Sequence, residues 1–252
     1  MSFLRAKTKS LVFLLILLCL WQILSQAGVW NSYVFPSPQK VALAFAKMLR
    51  SGELAKHVGT SVKRVFTGYA LSFGAAFILG ALAGIKEKTF GWYKGIFEFM
   101  RHVPPLSLIA LLILWFGIGE TTKLIIIFLA TFFPMFLSIK KGIGSCDPKL
   151  LEVGKIFRFS KWKRFTKIIL PNAIPDIVVG MRIGLGYAWR AIIGAEMVAA
   201  SAGLGYFIID AQQMSRSDKI IVGIVFIGLT GFLTDLLFQL MLKRFNWGGD
   251  QN

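Results

Sequence analysis

Residues 146 to 175 read CDPKLLEVGKIFRFSKWKRFTKIILPNAIP, and the reading of this stretch decides the fold. Long apolar runs flank it, yet seven Lys or Arg fall within residues 149 to 167. Lipid does not accept that much charge, so the stretch is a water-facing loop between membrane-spanning segments. Asp147 followed by Pro148 predicts an N-cap with proline at the first helical position. Leu150, Leu151, Gly154 and Phe157 then recur on one face at helical spacing, giving a short amphipathic helix. Ser160 can cap a second helix with Trp162, Phe165 and Ile169 as its apolar stripe, and Pro171 and Pro175 are expected to prevent its simple continuation. The loop therefore reads as two small helices at a membrane surface.

Composition agrees with a chain that lives in lipid. Of 252 residues 56% are apolar, 23 are Phe, and the mean hydropathy is +0.66, which places the chain among multi-spanning membrane proteins of one membrane domain. The net charge of +17 would suit nucleic acid, but lipid-length apolar runs interrupt the Lys and Arg, so these read as cytoplasmic anchors and nucleic-acid binding is not expected. Cys19 and Cys146 are isolated from each other, and with only His57 and His102 besides, neither a disulfide framework nor a metal site is indicated. There is no phosphate-cradling G-x-x-x-x-G-K-[ST] motif and no evident acid–base pair or activated nucleophile, so an enzyme is not expected and no cofactor is assigned to this chain.

Six transmembrane helices are predicted, at about 11–24, 62–85, 96–116, 122–139, 177–199 and 220–242. The first could instead be a signal peptide cut after Ser25-Gln26-Ala27, but Trp21 and Trp30 suit the interfacial end of a retained helix. Pro36-Ser37-Pro38 opens an external amphipathic helix containing Val41, Leu43, Ala44, Met48 and Leu49. In the second span Gly68, Ser72, Ala76, Gly80 and Gly84 place a small residue at every fourth position, a face that should pack closely on another helix. Pro104-Pro105 interrupts the third span and Pro134 lies in the fourth. With the N-terminus inside, inside segments hold 17 Lys or Arg and outside segments 9, six of them in one long external segment, so the orientation is N-terminus inside. Residues 1–56 are thus an N-terminal helix with its external segment, 57–242 the transmembrane core and 243–252 a cytoplasmic tail.

Glu152-Val153-Gly154, followed at the proper interval by Ile168-Ile169-Leu170-Pro171, resembles the EAA loop of binding-protein-dependent ABC importer permeases: Glu-Ala-Ala, three residues, Gly, nine residues, Ile-x-Leu-Pro. Glu152, Ile168, Leu170 and Pro171 fall on that pattern, while Val153 and Gly154 replace the alanines and Arg158 replaces the glycine. Val103-Pro-Pro-Leu-Ser-Leu-Ile through Leu114-Trp-Phe-Gly-Ile-Gly-Glu120, and Gly194-Ala-Glu196-Met197 with Gly203-Leu-Gly-Tyr206, look like the nitrate, sulfonate and taurine importers of that family. The resemblance implies an all-α, type I ABC importer permease fold of about six transmembrane helices with a cytoplasmic coupling helix. It also implies a multi-pass bacterial or archaeal inner-membrane subunit that pairs with a second copy of itself, two ATP-binding subunits that bind the ATP, and an extracytoplasmic solute-binding protein. Leu151, Glu152, Gly154, Phe157, Ile168, Leu170 and Pro171 would couple to the ATPase, with Gly154 letting its surface approach.

Arg101, Arg182 and Arg190 lie in apolar spans, where lipid would not tolerate them facing it. At 100° per residue Arg182 and Arg190 are about 80° apart, and Glu196 lies about 40° to the other side of Arg182. These four are candidates for a solute pathway, and the arginines suggest a small anion or zwitterion; the alternative is that each arginine pairs with an acidic neighbour such as Glu98 or Glu196, or caps backbone carbonyls, and only fixes helices. A channel would line its pore with charge as well, but it gives no reason for an ordered docking loop. A lipid-modifying membrane enzyme would want a His or carboxylate cluster at headgroup level.

Overall fold

The computed structural model describes residues 2–28 and 31–244; Trp30 and the tail beyond residue 244 lie outside the described residues. The elements in order are α1 (Ser2–Gln26), α2 (Pro38–Ser51), α3 (Glu53–Ile85), α4 (Glu87–Phe90), α5 (Lys94–His102), a 3-10 turn (Pro105–Leu108) and α6 (Ile109–Phe116). There follow α7 (Glu120–Gly144), α8 (Pro148–Ile156), α9 (Lys161–Arg164), a π-turn (Phe165–Ile169), α10 (Leu170–Ala199), α11 (Leu204–Gln213) and α12 (Ser217–Arg244). No strand occurs among the described residues. Among the described residues four helical stretches are long and apolar enough to cross a bilayer, Glu53–Ile85, Glu120–Gly144, Lys161–Ala199 and Ser217–Leu242; the broken pair α5 and Pro105–Phe116, counted as one bent span, makes a fifth.

The core is a packed trio of α3, α7 and α10. In lipid, apolar surface alone does not draw helices together, so close backbone approach and interhelical hydrogen bonds must. The small-residue face of α3 meets α7: a Cβ added at Gly68 would lie 2.8 Å from Ile127, at Gly80 3.0 Å from Ile139 and the Phe136 carbonyl, and at Gly84 2.9 Å from the Lys140 carbonyl. Ser72 donates to the Phe128 carbonyl at 3.2 Å. On the other side of α7, Gly142 abuts Ala173, while Gly180 and Gly184 of α10 abut Ser138 and Met135. Tyr69 closes the trio by donating from α3 to the Met181 carbonyl at 2.8 Å.

The prolines do not act alike. Pro104-Pro105 bends the third span by 85°; the Met100 carbonyl, which Pro104 cannot serve, takes Val103 N at 3.2 Å, and the Pro104 carbonyl takes Ser107, Oγ at 2.7 Å and backbone N at 3.0 Å. Protein groups thus satisfy the backbone that lipid cannot. Pro171 and Pro175, expected to stop the helix, do not: helix runs on from Lys161 to Ala199. The reason is local. Pro171 stands in the first turn of α10, where a missing N–H is harmless, and the wider turn of Phe165–Ile169 just before it relieves the ring's clash with the preceding carbonyls.

At the outer end, Trp21 of α1 donates to the Pro36 carbonyl at 3.0 Å, holding the lead-in to α2. Ser37 caps α2, whose Ala44 and Met48 are buried against Phe207 and Val222, while Leu43 and Leu49 remain exposed. The external amphipathic helix is therefore packed on α11 and α12.

Candidate functional site

The cytoplasmic loop has the two helices its residues predict. Asp147 accepts from Lys149 N at 2.8 Å and Ser160 from Lys163 N at 3.2 Å, capping α8 and α9. Gly154, however, faces inward: a Cβ there would lie 2.7 Å from Ile168 and 3.1 Å from Arg164. On this side its small size admits Ile168 and Arg164 of its own chain. Leu151, Ile168 and Leu170 are half-buried, whereas Glu152, Val153 and Pro171 are exposed. Leu150, Val153, Ile156 (77%), Phe157 (68%) and Trp162 (74%) present apolar surface outward.

Arg158, at the family's glycine position, has φ +49°. Phe159 N donates to the Gly154 carbonyl and Arg158 N to that of Lys155, both at 2.9 Å, the paired bonds of a left-handed helix C-cap. Arg158 itself is exposed. Glycine suits the position for its backbone sign, not for close packing, which is why an arginine can stand there at a conformational cost. Cys146 at the loop's start is buried; that burial, and then Asp147, push its thiol up and leave it protonated.

Within the membrane, Arg182 and Arg190 of α10 share one open groove of about 480 Å³ with Val179, Ile183, Gly186, Tyr187 and Asp235 of α12. Arg182 is bidentate to Asp235, Nε to Oδ1 3.0 Å and Nη2 to Oδ2 3.1 Å. Arg190 lies 5.9 Å from the Tyr187 ring centre and, among the described residues, forms no ion pair. Arg101 lines a different, narrow crevice with Phe97, Glu98 and Lys140. Glu196, grouped with the arginines by helical angle, is absent from the groove; it is 1% exposed and turned into the protein. A 100° wheel fixes direction around one helix and is blind to what packs on it.

Glu196 instead centres a buried polar clasp at the outer end of the trio. Its carboxylate accepts from Ser61 Oγ at 2.8 Å, Arg64 Nη1 at 2.8 Å and Gly205 N at 3.0 Å. Arg64 also donates from Nε to Glu120 at 2.7 Å, and Glu120 takes Lys123 Nζ at 3.0 Å. Leu204 N donates to Ser61 at 2.9 Å and Gly203 N to His57 Nδ1 at 3.1 Å. Gly203 sits at φ +119° with the carboxylate where a Cβ would be, so no other residue fits.

Residues 76–247 match the family described as binding-protein-dependent transport system inner membrane component. The chain belongs to that family. It is the permease subunit of a binding-protein-dependent ABC importer, a transport protein and not an enzyme, and the channel reading falls away. The permease is 35% identical over 94% of its length, and 86% of the relative's, to the putative aliphatic sulfonates transport permease protein SsuC of Bacillus subtilis strain 168. It is 31% identical over 98% of its length, and 92% of the relative's, to the taurine transport system permease protein TauC of Escherichia coli K12. In fold it is like the inward-facing MetNI methionine ABC transporter in its CY5 native crystal form, with TM-score 0.61 at 12% identity, covering 76% of this chain and 97% of that one. An ATPase and a solute-binding protein are general partners of such a permease.

Of the residues singled out from the sequence, the structure brings Arg182 and Arg190 together and separates both from Arg101 and Glu196. Ser61, Arg64, Glu120, Lys123 and Asp235 were missed. Arg64 and Lys123 were counted as outside anchors, and the available signal was their position in the first turn of the predicted spans 62–85 and 122–139, with Glu120 beside the second. Asp235 carried a plainer signal, being a carboxylate amid the apolar run 220–242.

Proposed function

We propose that this permease carries a small anion across an inner membrane, as one of two copies that flank a central route. Two ATP-binding subunits lie inside and an extracytoplasmic binding protein delivers the solute outside. Residues 57–242 would form the moving core, with 1–56 as its outer brace. The observation that carries the reading is the outward apolar face of α8, Leu150, Val153, Ile156 and Phe157, held on the cytoplasmic side by Gly154 against Ile168. Large apolar side chains at such exposure mark a surface meant for a partner. Glu152 on the same helix offers a carboxylate to a cation there, while Leu170 and Pro171 join the docked helix directly to α10. A push on α8 therefore reaches the helix that carries Arg182 and Arg190, as an alternating-access cycle requires.

The anionic group of the solute rests on those two arginines, and a sulfonate group fits relatives named for aliphatic sulfonates and taurine. The docking test is an Ile156→Asp, Phe157→Asp double variant, reconstituted with the ATPase and the solute-loaded binding protein. Loss of ATPase co-purification and of stimulated ATP hydrolysis is expected. Stimulation at the wild-type level would overturn the docking role.

A further inference from the structure

The groove on α10 and α12 holds two arginines and one aspartate, hence one uncompensated positive charge. Its geometry is ordered along the membrane normal. Arg190 and Arg182 are eight residues apart on α10, about 12 Å of helix, with Arg190 nearer the outer end. A solute entering from outside meets Arg190 first, with the Tyr187 ring beside it, and reaches Arg182 only where Asp235 already occupies the Nε–Nη2 edge of its guanidinium. Asp235 is itself held by Gln239, whose Nε2 donates at 2.7 Å, so the carboxylate keeps a partner when the arginine turns away.

Resting on the reading that this groove faces the solute route, we propose that Asp235 is a valence-selecting residue. By holding Arg182 it leaves the groove with the charge of one free cation, so that singly charged oxyanions are taken and doubly charged ones are turned away. A monoanion at Arg190 makes the groove neutral, whereas a dianion leaves a net negative charge in a low-dielectric setting, which is costly. Asp235 also keeps the route from becoming a trap. An anion moves inward by exchanging with the carboxylate at Arg182, and the returning carboxylate expels it; conduction needs binding weak enough to leave.

The test uses the full permease with its ATPase in nanodiscs of neutral lipid, without binding protein, and labelled methanesulfonate and sulfate as mono- and divalent probes. Wild type is expected to bind methanesulfonate in preference to sulfate. Asp235→Asn should shift that preference toward sulfate by about tenfold or more, because removing one negative charge helps a dianion twice as much as a monoanion. Removing both charges, in Arg182→Gln with Asp235→Asn, should bring the wild-type preference back, which also shows that the single variant's effect is not misfolding. If Asp235→Asn leaves the preference unchanged while Arg190→Gln abolishes binding of both probes, the valence role is wrong and the groove stands. If wild type binds neither probe and, in proteoliposomes with the ATPase and the solute-loaded binding protein, Arg190→Gln imports at the wild-type rate, the groove is not on the route and the proposal falls with it.

Discussion

Replacing Glu196 with Gln tests the clasp at the outer end of the core. The carboxylate has 0% side-chain exposure and receives three donors, from Ser61, Arg64 and Gly205. A glutamine of the same shape has one oxygen, which can accept two of them at most, and an NH2 that must point at the third. Arg64 keeps its bonds to Glu120, so its charge is not stranded altogether. Removing one partner of a buried pair costs about 3–5 kcal/mol, and the surviving Arg64–Glu120 bonds put the expected loss at the lower end, about 3 kcal/mol. For a chain of this size that is about 6–12 °C in thermal midpoint. Thermal unfolding in detergent, followed by tryptophan fluorescence, measures it. The effect should be non-additive, with Glu196→Gln much less harmful when Arg64 is already Met. A shift below about 2 °C, or strict additivity, would refute the view that Glu196 holds α3, α10 and the 200–205 segment as one unit.

Arg158→Gly should stabilise the loop by about 0.5–1 kcal/mol, since glycine takes the left-handed conformation without the side-chain penalty that arginine now meets; a lowered thermal midpoint would contradict this. Gly80→Leu should cost about 1–3 kcal/mol or more by forcing α3 off α7, whereas Gly74→Leu, with nothing within 4 Å of its Cβ position, should be tolerated; equal midpoints for the two variants would remove the small-residue face from the account.

Much of the fold was legible because two different periods survive in the sequence. Lipid-length apolar runs separated by Lys and Arg place the spans, and the four-residue spacing of Gly68, Ser72, Ala76, Gly80 and Gly84 names the face of α3 that α7 covers. What the residues could not show was how a proline behaves. The same ring bends the chain by 85° after His102, is absorbed within α7 at Pro134, and is carried into α10 by a wide turn at Phe165–Ile169. Those outcomes depend on neighbours that accept or relieve the freed carbonyls, and such neighbours are brought by tertiary packing.

The site was legible where function is local and obscure where it is not. Asp147, Ser160 and the apolar face of α8 act within a few residues of one another, so spacing alone exposes them. The pattern marks Gly154 as small but does not show that Ile168 and Arg164 of its own loop fill the space beside it, and it does not show that position 158 needs a positive φ. The arginines of α10 were found and their carboxylates mispaired: Glu196 is six residues from Arg190 along the chain, yet its partner Arg64 is 132 residues away, and Arg182 reaches 53 residues to Asp235. A buried charge in lipid must find an opposite charge. The chain therefore announces that partners exist, and leaves their identity to whichever helices the small-residue faces bring side by side.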